Sequence, residues 1–166
     1  MNQESNLIYP WTIIAAMSPS RGIGYQGKLP WNLPEELKWF KESTSQNTIV
    51  MGKNTWESIG KRPLPNRLNV IVSTTLSDDN FPDRVRIIRN IAELHKIDIL
   101  GKIFIIGGEK LYQATLPLCR ELLLTYIHQD YPADTFFPSS ENLFDAGVIV
   151  RSTPDFTIRR HLRKIS

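Results

Sequence analysis

The feature that most constrains what this chain can fold into is a unit that recurs along it. A short apolar run gives way to a glycine-marked turn, and the turn opens a helix-like stretch. Residues 11–17 and 48–51 are short and largely apolar, which predicts buried strands. Residues 69–73, 102–106 and 121–127 read as further strands. A helix is predicted from Pro34 to about Thr44, since proline suits the first turn. A second runs to Ile59 from a cap at Asn54 or Thr55, with Gly60 as its stop. A short helix follows at residues 91–96, and another leaves Gly107-Gly108 and ends near Leu116. Residues 18–27 hold three glycines, a proline and two serines, which reads as a long mobile loop. Near the end, Phe156, Ile158, Arg160 and Leu162 alternate with Thr157, Arg159 and His161, the period of a half-exposed antiparallel strand. The sum is an α/β domain whose mostly parallel sheet ends in antiparallel strands.

Length and charge narrow the function classes. At 166 residues the chain fits one domain. It divides into a leader, residues 1–10, and a folded domain, residues 11–166. A net charge of +3, with basic residues spread along the whole chain, does not suit a nucleic-acid partner. No run approaches the ~18 apolar residues that cross a membrane, and no secretory signal opens the chain, so the cytoplasm is the expected compartment. Cys119 is the single cysteine, which excludes an internal disulfide, and no metal-ligand spacing exists. It is expected to be a buried packing thiol. His95, His128 and His161 form no paired motif and read as surface or strand residues.

Three segments can carry chemistry. In residues 29–40, helical spacing puts Glu36 beside Phe40, near Leu33 and Leu37, while Glu35 and Lys38 can point to water. A carboxylate on an apolar face can receive a cationic or amidine-like ligand through both oxygens. A solvated Glu36 at the rim fits the same pattern. In residues 103–112, a strand runs into Gly107-Gly108 and a helix, a place where backbone can approach an anion. A simple turn reads the same way. The glycine fingerprint of an ordinary dinucleotide domain is absent. In residues 50–56, a strand, Gly52, Lys53 and a helix start form a possible second phosphate turn, or a turn with a merely solvated lysine.

Their joint order closely resembles the dihydrofolate reductases, and residues 30–40 resemble the signature segment of bacterial chromosomal members. Ile13-Ile14-Ala15-Ala16 with Gly22-Ile23-Gly24, residues 51–60, Pro63-Leu64-Pro65-Asn66-Arg67, Ile106-Gly107-Gly108 and Asp134-Thr135-Phe136-Phe137-Pro138 match further family segments. The resemblance spans about residues 11–138. It implies a single-domain, three-layer α/β fold: a central mixed, mostly parallel sheet, flanking helices and an antiparallel C-terminal edge. It implies a cytoplasmic monomer that reduces dihydrofolate to tetrahydrofolate with NADPH for one-carbon metabolism, and that binds antifolates. No metal, nucleic acid or membrane is implied.

The resemblance also implies residue roles. Glu36 would hold the pterin, oriented by Thr125, with Trp31 and Tyr112 completing the catalytic set. Ile14, Ala15, Leu37, Phe40, Ile59, Leu64 and Ile106 would border the substrate, and Arg67, helped by Arg62, would clamp its carboxylate tail. Ala16, Ile23, Gly24, Leu29 and Tyr112 would meet the nicotinamide side of the cofactor. Gly52, Asn54, Thr55, Ser58, Gly107, Gly108, Glu109 and Leu111 would border the pyrophosphate. Lys53, Ser73, Thr74 and Lys110 would meet the 2′-phosphate. Asp134 would tie its loop to residues 18–28 on the cofactor side.

Some residues depart from the family pattern. Glu36 stands where bacterial members usually have aspartate, Glu109 where a third glycine is frequent, and Lys53 and Lys110 where arginine is frequent. After Pro138 the chain is expected to lack the family's aromatic-rich hairpin. Two other readings are a related riboflavin-pathway reductase on the same fold, against which residues 31–36 argue, and a non-catalytic folate or nucleotide binder, favoured by the shortened end.

Overall fold

The computed structural model describes residues 7–77, 81 and 83–165. Most of the expected leader, residues 1–6, lies outside them. The elements are β1 (Tyr9–Met17), β2 (Gly22–Gly24), α1 (Pro34–Thr44), β3 (Thr48–Gly52), α2 (Lys53–Ser58), β4 (Leu68–Val72) and β5 (Val85–Ile88). A 3-10 helix (Ile91–Lys96), β6 (Ile103–Gly107), α3 (Glu109–Thr115), β7 (Cys119–Ile127), β8 (Thr135–Phe136), β9 (Val148–Ser152) and β10 (Phe156–Leu162) follow.

Eight strands form one sheet in the order β5-β4-β3-β6-β1-β7-β10-β9, and β2 pairs with β8 apart from it. The neighbours from β5 to β7 are parallel. β10 runs antiparallel to both β7 and β9. Alternation along each strand sends side chains to two faces. On one face Ile13, Ala15, Met17, Leu122 and Leu124 pack with Leu94 of the 3-10 helix and with Leu111 and Tyr112 of α3. On the other, Ile14, Ile49, Met51 and Phe104 pack with Phe40 of α1 and Trp56 of α2. Helical side chains therefore cover both faces, which is the expected three-layer arrangement.

The structure corrects the sequence reading in four places. The second helix starts at Lys53 with Gly52 as its N-cap and no side-chain cap, so neither Asn54 nor Thr55 caps it. Residues 18–27 are not all loop, because β2 lies within them. β5, which the sequence reading left out, forms a parallel edge. The C-terminal hairpin expected to be missing is present as β9–β10. Val148, Ile149 and Val150 of β9 are exposed, so the hairpin is aliphatic there.

Candidate active site

The sheet is split where its winding reverses. The chain winds outward from β3 to β5, returns at β6 beside β1, and continues on the far side of β1 with β7. Ligands of such sheets bind beyond the carboxyl ends of strands at this switch point. The β1–β6 ladder stops at Ile13↔Ile105, and β3 meets β6 again at Met51↔Gly107 after a register shift. Beyond the ladder's end the Tyr112 hydroxyl donates to the Ile14 carbonyl at 2.9 Å. Tyr112 is buried against Phe137, edge to ring. Burial, and then the negative charge of Glu36, drive its ionisation far above the ordinary range. It is a neutral donor at any working pH.

Glu36 sits in the first turn of α1, behind Pro34, where the helix macrodipole favours an acid. It is only 8 % exposed, which removes the reading of a solvated rim residue. No cation forms an ion pair with it among the described residues. The Thr125 hydroxyl of β7 hydrogen-bonds it. Burial pushes its pKa up, and the Thr125 bond opposes this in part. The neighbouring first-turn acid, Glu35, reaches Arg151 of β9 at 3.3 Å, so the C-terminal hairpin braces this turn. Trp31 packs with Ile127, Phe156 and Ile158, and its indole N–H is buried without a partner among the described residues. A buried N–H of that kind is costly unless something polar accepts it.

Phe40, Ile59, Leu64 and Ile106 are partly buried against the cluster that contains Ile14. Leu37 is not among them, since it is 45 % exposed. Ala15 packs on the opposite face with Ile13 and Met17, so its side chain takes no part on the Glu36 face. Arg67, just before β4, is only 4 % exposed. Its Nε donates to the Pro65 carbonyl at 2.9 Å and its Nη1 to Thr44 Oγ1 at 3.0 Å. Thr44 in turn donates to the Phe40 carbonyl at 2.8 Å. A buried guanidinium is thus held at the carboxyl end of α1 without a carboxylate partner among the described residues. Burial lowers its pKa, and a guanidinium stays charged regardless. Arg62 is exposed nearby in sequence.

The starts of α2 and α3 adjoin. A Cβ on Gly108 would lie 3.5 Å from Thr55 Oγ1, and one on Gly52 would lie 3.9 Å from the Gly107 carbonyl oxygen. Gly107 has φ +122°, and Gly107-Gly108 is a cis peptide. Neither helix has a side-chain cap, so the first-turn N–H groups are open to an anion. Asn54 and Ser58 are exposed on α2. Glu109 turns away from this gap, its Oε2 accepting the Phe136 N–H at 2.6 Å. Lys110 is exposed, and Leu111 points into the α3-side core.

Ser73 is buried, its Oγ accepting the N–H groups of Thr75 and Leu76. Thr74 is exposed beside it, and Lys53 Nζ donates to Thr75 Oγ1 at 3.1 Å. Arg89 donates to the Ser73 carbonyl at 2.8 Å. Thr75 and Arg89 therefore join this basic corner; Arg89 is brought there by β5, which has no clear signature in the sequence. On the loop side, Asp134 Oδ2 accepts the Gln26 N–H at 2.8 Å and the Asp134 N–H donates to the Gly24 carbonyl at 2.9 Å. That is the expected tie between the two loops. Ile23 is half-buried, Ala16 packs partly beside Trp31, and Leu29 is exposed. Cys119 is buried, with its thiol pushed up to about 12 mainly by burial, so it is a packing residue.

The comparisons agree with this geometry. The dihydrofolate reductase family profile matches residues 11–146. The dihydrofolate reductase of Buchnera aphidicola subsp. Acyrthosiphon pisum is 40 % identical over 130 residues, covering 76 % of this chain and 78 % of that one. The dihydrofolate reductase of Drosophila melanogaster is 36 % identical over 149 residues, covering 81 % and 82 %. The structure of dihydrofolate reductase from Enterococcus faecalis, complexed with NADP(H) and RAB-propyl, superimposes with a TM-score of 0.81. It has 31 % identity and covers 94 % of this chain and 97 % of that one. The chain belongs to the dihydrofolate reductase family.

Proposed function

We propose that this chain is a cytoplasmic, monomeric enzyme that reduces 7,8-dihydrofolate to 5,6,7,8-tetrahydrofolate with NADPH and so supplies one-carbon metabolism. The observation that carries this reading is Glu36: a buried carboxylate with no cation partner among the described residues, hydrogen-bonded by Thr125, beside a split sheet. A pterin's 2-amino group and adjacent ring nitrogen are the paired donors such a carboxylate accepts.

The residues fit the cofactor. The Gly52, Gly107 and Gly108 corner leaves room that side chains would fill, between two uncapped helix starts suited to a pyrophosphate. Lys53, Ser73 and Thr74, with Thr75 and Arg89, suit the extra phosphate of NADPH. NADPH, when bound, supplies the hydride that passes from nicotinamide C4 to pterin C6. Ala16, Ile23 and Tyr112 border the nicotinamide side, and Tyr112 fixes the Ile14 carbonyl at the edge of the split.

The chain's own part in the reaction is alignment and electrostatics. Phe40, Ile59 and Leu64 wall the pterin and its benzoyl extension, with Leu37 turning in from the rim. Arg67 clamps a tail carboxylate and Arg62 assists at the mouth. A bidentate guanidinium suits that carboxylate better than an ammonium does. The carbonyls of Ile14 and Ile106 meet the ring edge. The charge on Glu36 favours the protonated pterin, with solvent delivering the proton to N5, as a preplaced charge favours a developing opposite one. The Trp31 N–H finds its acceptor in a water shared with this site. Residues 18–28, tied through Asp134, exclude bulk water during transfer.

The direct test is NADPH oxidation with dihydrofolate, followed by near-ultraviolet absorbance, with and without methotrexate. Methotrexate-sensitive turnover is expected. Methotrexate binding without turnover would leave a non-catalytic binder, a reading that the β9–β10 hairpin has already deprived of its structural motive. Lys53→Ala is expected to raise the KM for NADPH roughly tenfold, the loss of about one charge-assisted bond, while leaving NADH use unchanged. An equal effect on both cofactors would remove Lys53 from the 2′-phosphate.

A further inference from the structure

A second cavity, of about 820 Å³, lies across the sheet from Glu36. Strand alternation fixes its side. Thr125 and Ile158 belong to the Glu36 face, so Tyr126, Arg159 and His161, at odd offsets from them, project from the other. Met17 pairs in register with Tyr126 and shares that face.

The floor is rigid. The Tyr126 hydroxyl lies 2.7 Å from His161 Nε2, and His161 Nδ1 lies 2.8 Å from the Asp145 carbonyl oxygen. A carbonyl only accepts, so Nδ1 carries the proton and Nε2 is the ring nitrogen that meets the Tyr126 hydroxyl. Phe144 is buried beside them, under the Arg163 guanidinium at 5.2 Å.

Two arginines overlook this aromatic floor from different parts of the chain. Arg21 comes from the loop after β1, and among the described residues only the Nε of its side chain is engaged, donating to the Phe137 carbonyl at 3.2 Å. Arg159 comes from β10. Neither has a carboxylate within ion-pair distance among the described residues. Burial raises the pKa of the Tyr126 hydroxyl, Arg159 and then Arg21 pull it back, and Glu141 adds a smaller push upward, so the two arginines outweigh the acid near that oxygen. Lys164 adds a third cation, its Nζ on the Glu141 carbonyl at 2.9 Å. Two acids, Glu141 and Asp145, also border the cavity. Asp145 Oδ1 is occupied by the N–H groups of Gly147 and Leu162. The volume is that of a small-ligand site, and three lining cations, Arg21, Arg159 and Lys164, outnumber the two acids, Glu141 and Asp145.

We propose that this cavity binds a small aromatic anion, a ring bearing a carboxylate or a phosphate. Its charge sits between Arg21 and Arg159, and its ring lies over Tyr126 and Phe144. Because Arg21 belongs to the loop that the proposed reductase reading closes over the Glu36 cleft, occupancy holds residues 18–21 against residues 137–145 and slows the loop. The binding stands on this geometry alone, whereas the effect on turnover rests on the proposed reductase reading.

The test is calorimetric titration of the full chain with phenyl phosphate, benzoate and inorganic phosphate, each with NADPH and methotrexate already saturating. One saturable site for phenyl phosphate or benzoate is expected, at least tenfold tighter than for inorganic phosphate. The two ring compounds decide between phosphate and carboxylate. Binding is expected to weaken at least tenfold in Arg159→Gln and in Arg21→Gln, with unchanged circular dichroism. The bound ring compound is expected to lower turnover, and Arg159→Gln to abolish that effect while keeping basal turnover within twofold. The proposal is overturned if no saturable binding occurs, if NADPH and methotrexate abolish it, if both arginine variants bind normally, or if inorganic phosphate binds as tightly as the ring compounds. Binding as described in a chain that shows no turnover would uphold this site and count against the reductase reading instead.

Discussion

Glu36→Gln is expected to lower turnover roughly 10²–10³-fold at neutral pH, the usual cost of removing one preplaced electrostatic group. Glutamine keeps the shape and one acceptor but not the charge that favours a protonated pterin. Acidification should restore part of the rate, because bulk protons then do what the carboxylate did. In the parent chain, activity should fall on acidification in a range above that of an ordinary glutamate, since burial raises the Glu36 pKa. The stability effect has the opposite sign. Below the unfolded-state pKa the group is neutral in both states and contributes nothing. As pH rises, the unfolded chain ionises first and the folded chain resists, so stability falls until pH passes the folded value. Glu36→Gln should therefore melt higher than the parent near neutrality, and the gap should close in acid. Turnover against pH and calorimetric melting check the two halves. Full activity at pH 7 would remove Glu36 from the reaction.

Arg67→Ala is expected to raise the KM for dihydrofolate roughly a hundredfold, about 3 kcal/mol, with kcat little changed. The magnitude follows from where the guanidinium sits. It is already ordered by the Pro65 carbonyl and Thr44 Oγ1, and it is buried before any ligand arrives. Little ordering entropy is then lost on binding. Arg67→Lys should recover only part of the loss, since an ammonium cannot reproduce the fork. Steady-state kinetics with dihydrofolate and with a tail-truncated pterin separate the two ends of the substrate. If KM is unchanged, Arg67 acts only as the bracket that joins Thr44 to the start of β4.

Much of this was legible beforehand, for identifiable reasons. The limits of α1 were read correctly because Pro34 marks one end and the apolar spacing stops at the other. The parallel core strands announced themselves as short apolar runs, since both of their faces are covered. β5 did not: it has four residues, one of them Arg86 on its exposed side, and only an edge position to fill. β2 and β8 are three and two residues long, and two of the β2 residues are glycines. Their pairing depends on a segment more than a hundred residues away, which no local pattern reveals. The Gly52 cap was hidden because it uses no side chain.

The site divides in the same way. Glu36, Arg67 and the glycine corner stand out by motif. Thr44, Thr75 and Arg89 do not, because they act only through the three-dimensional neighbourhood of residues that do. The Ala15 side chain is turned away by alternation alone: if Ile14 faces Glu36, its neighbour must face away. β9 is aliphatic and carries none of the aromatic residues that mark the family's last hairpin, so its sequence does not announce that hairpin.

The position of β1 has a consequence for how the polypeptide is made. β1 is the first strand synthesised, yet both of its sheet neighbours, β6 and β7, begin only at Ile103 and Cys119. A growing chain on the ribosome must therefore carry an unpaired, strongly apolar segment at least until Ile103–Ile105 of β6 have been made. Long-range parallel pairing of this kind is slow and exposes sticky surface while it waits. Stalled nascent chains that end before β7 has cleared the exit tunnel should remain protease-sensitive throughout. Chains extended past β7 should gain protection in the central strands together, leaving the β9–β10 hairpin to dock last and brace the α1 turn that holds Glu36.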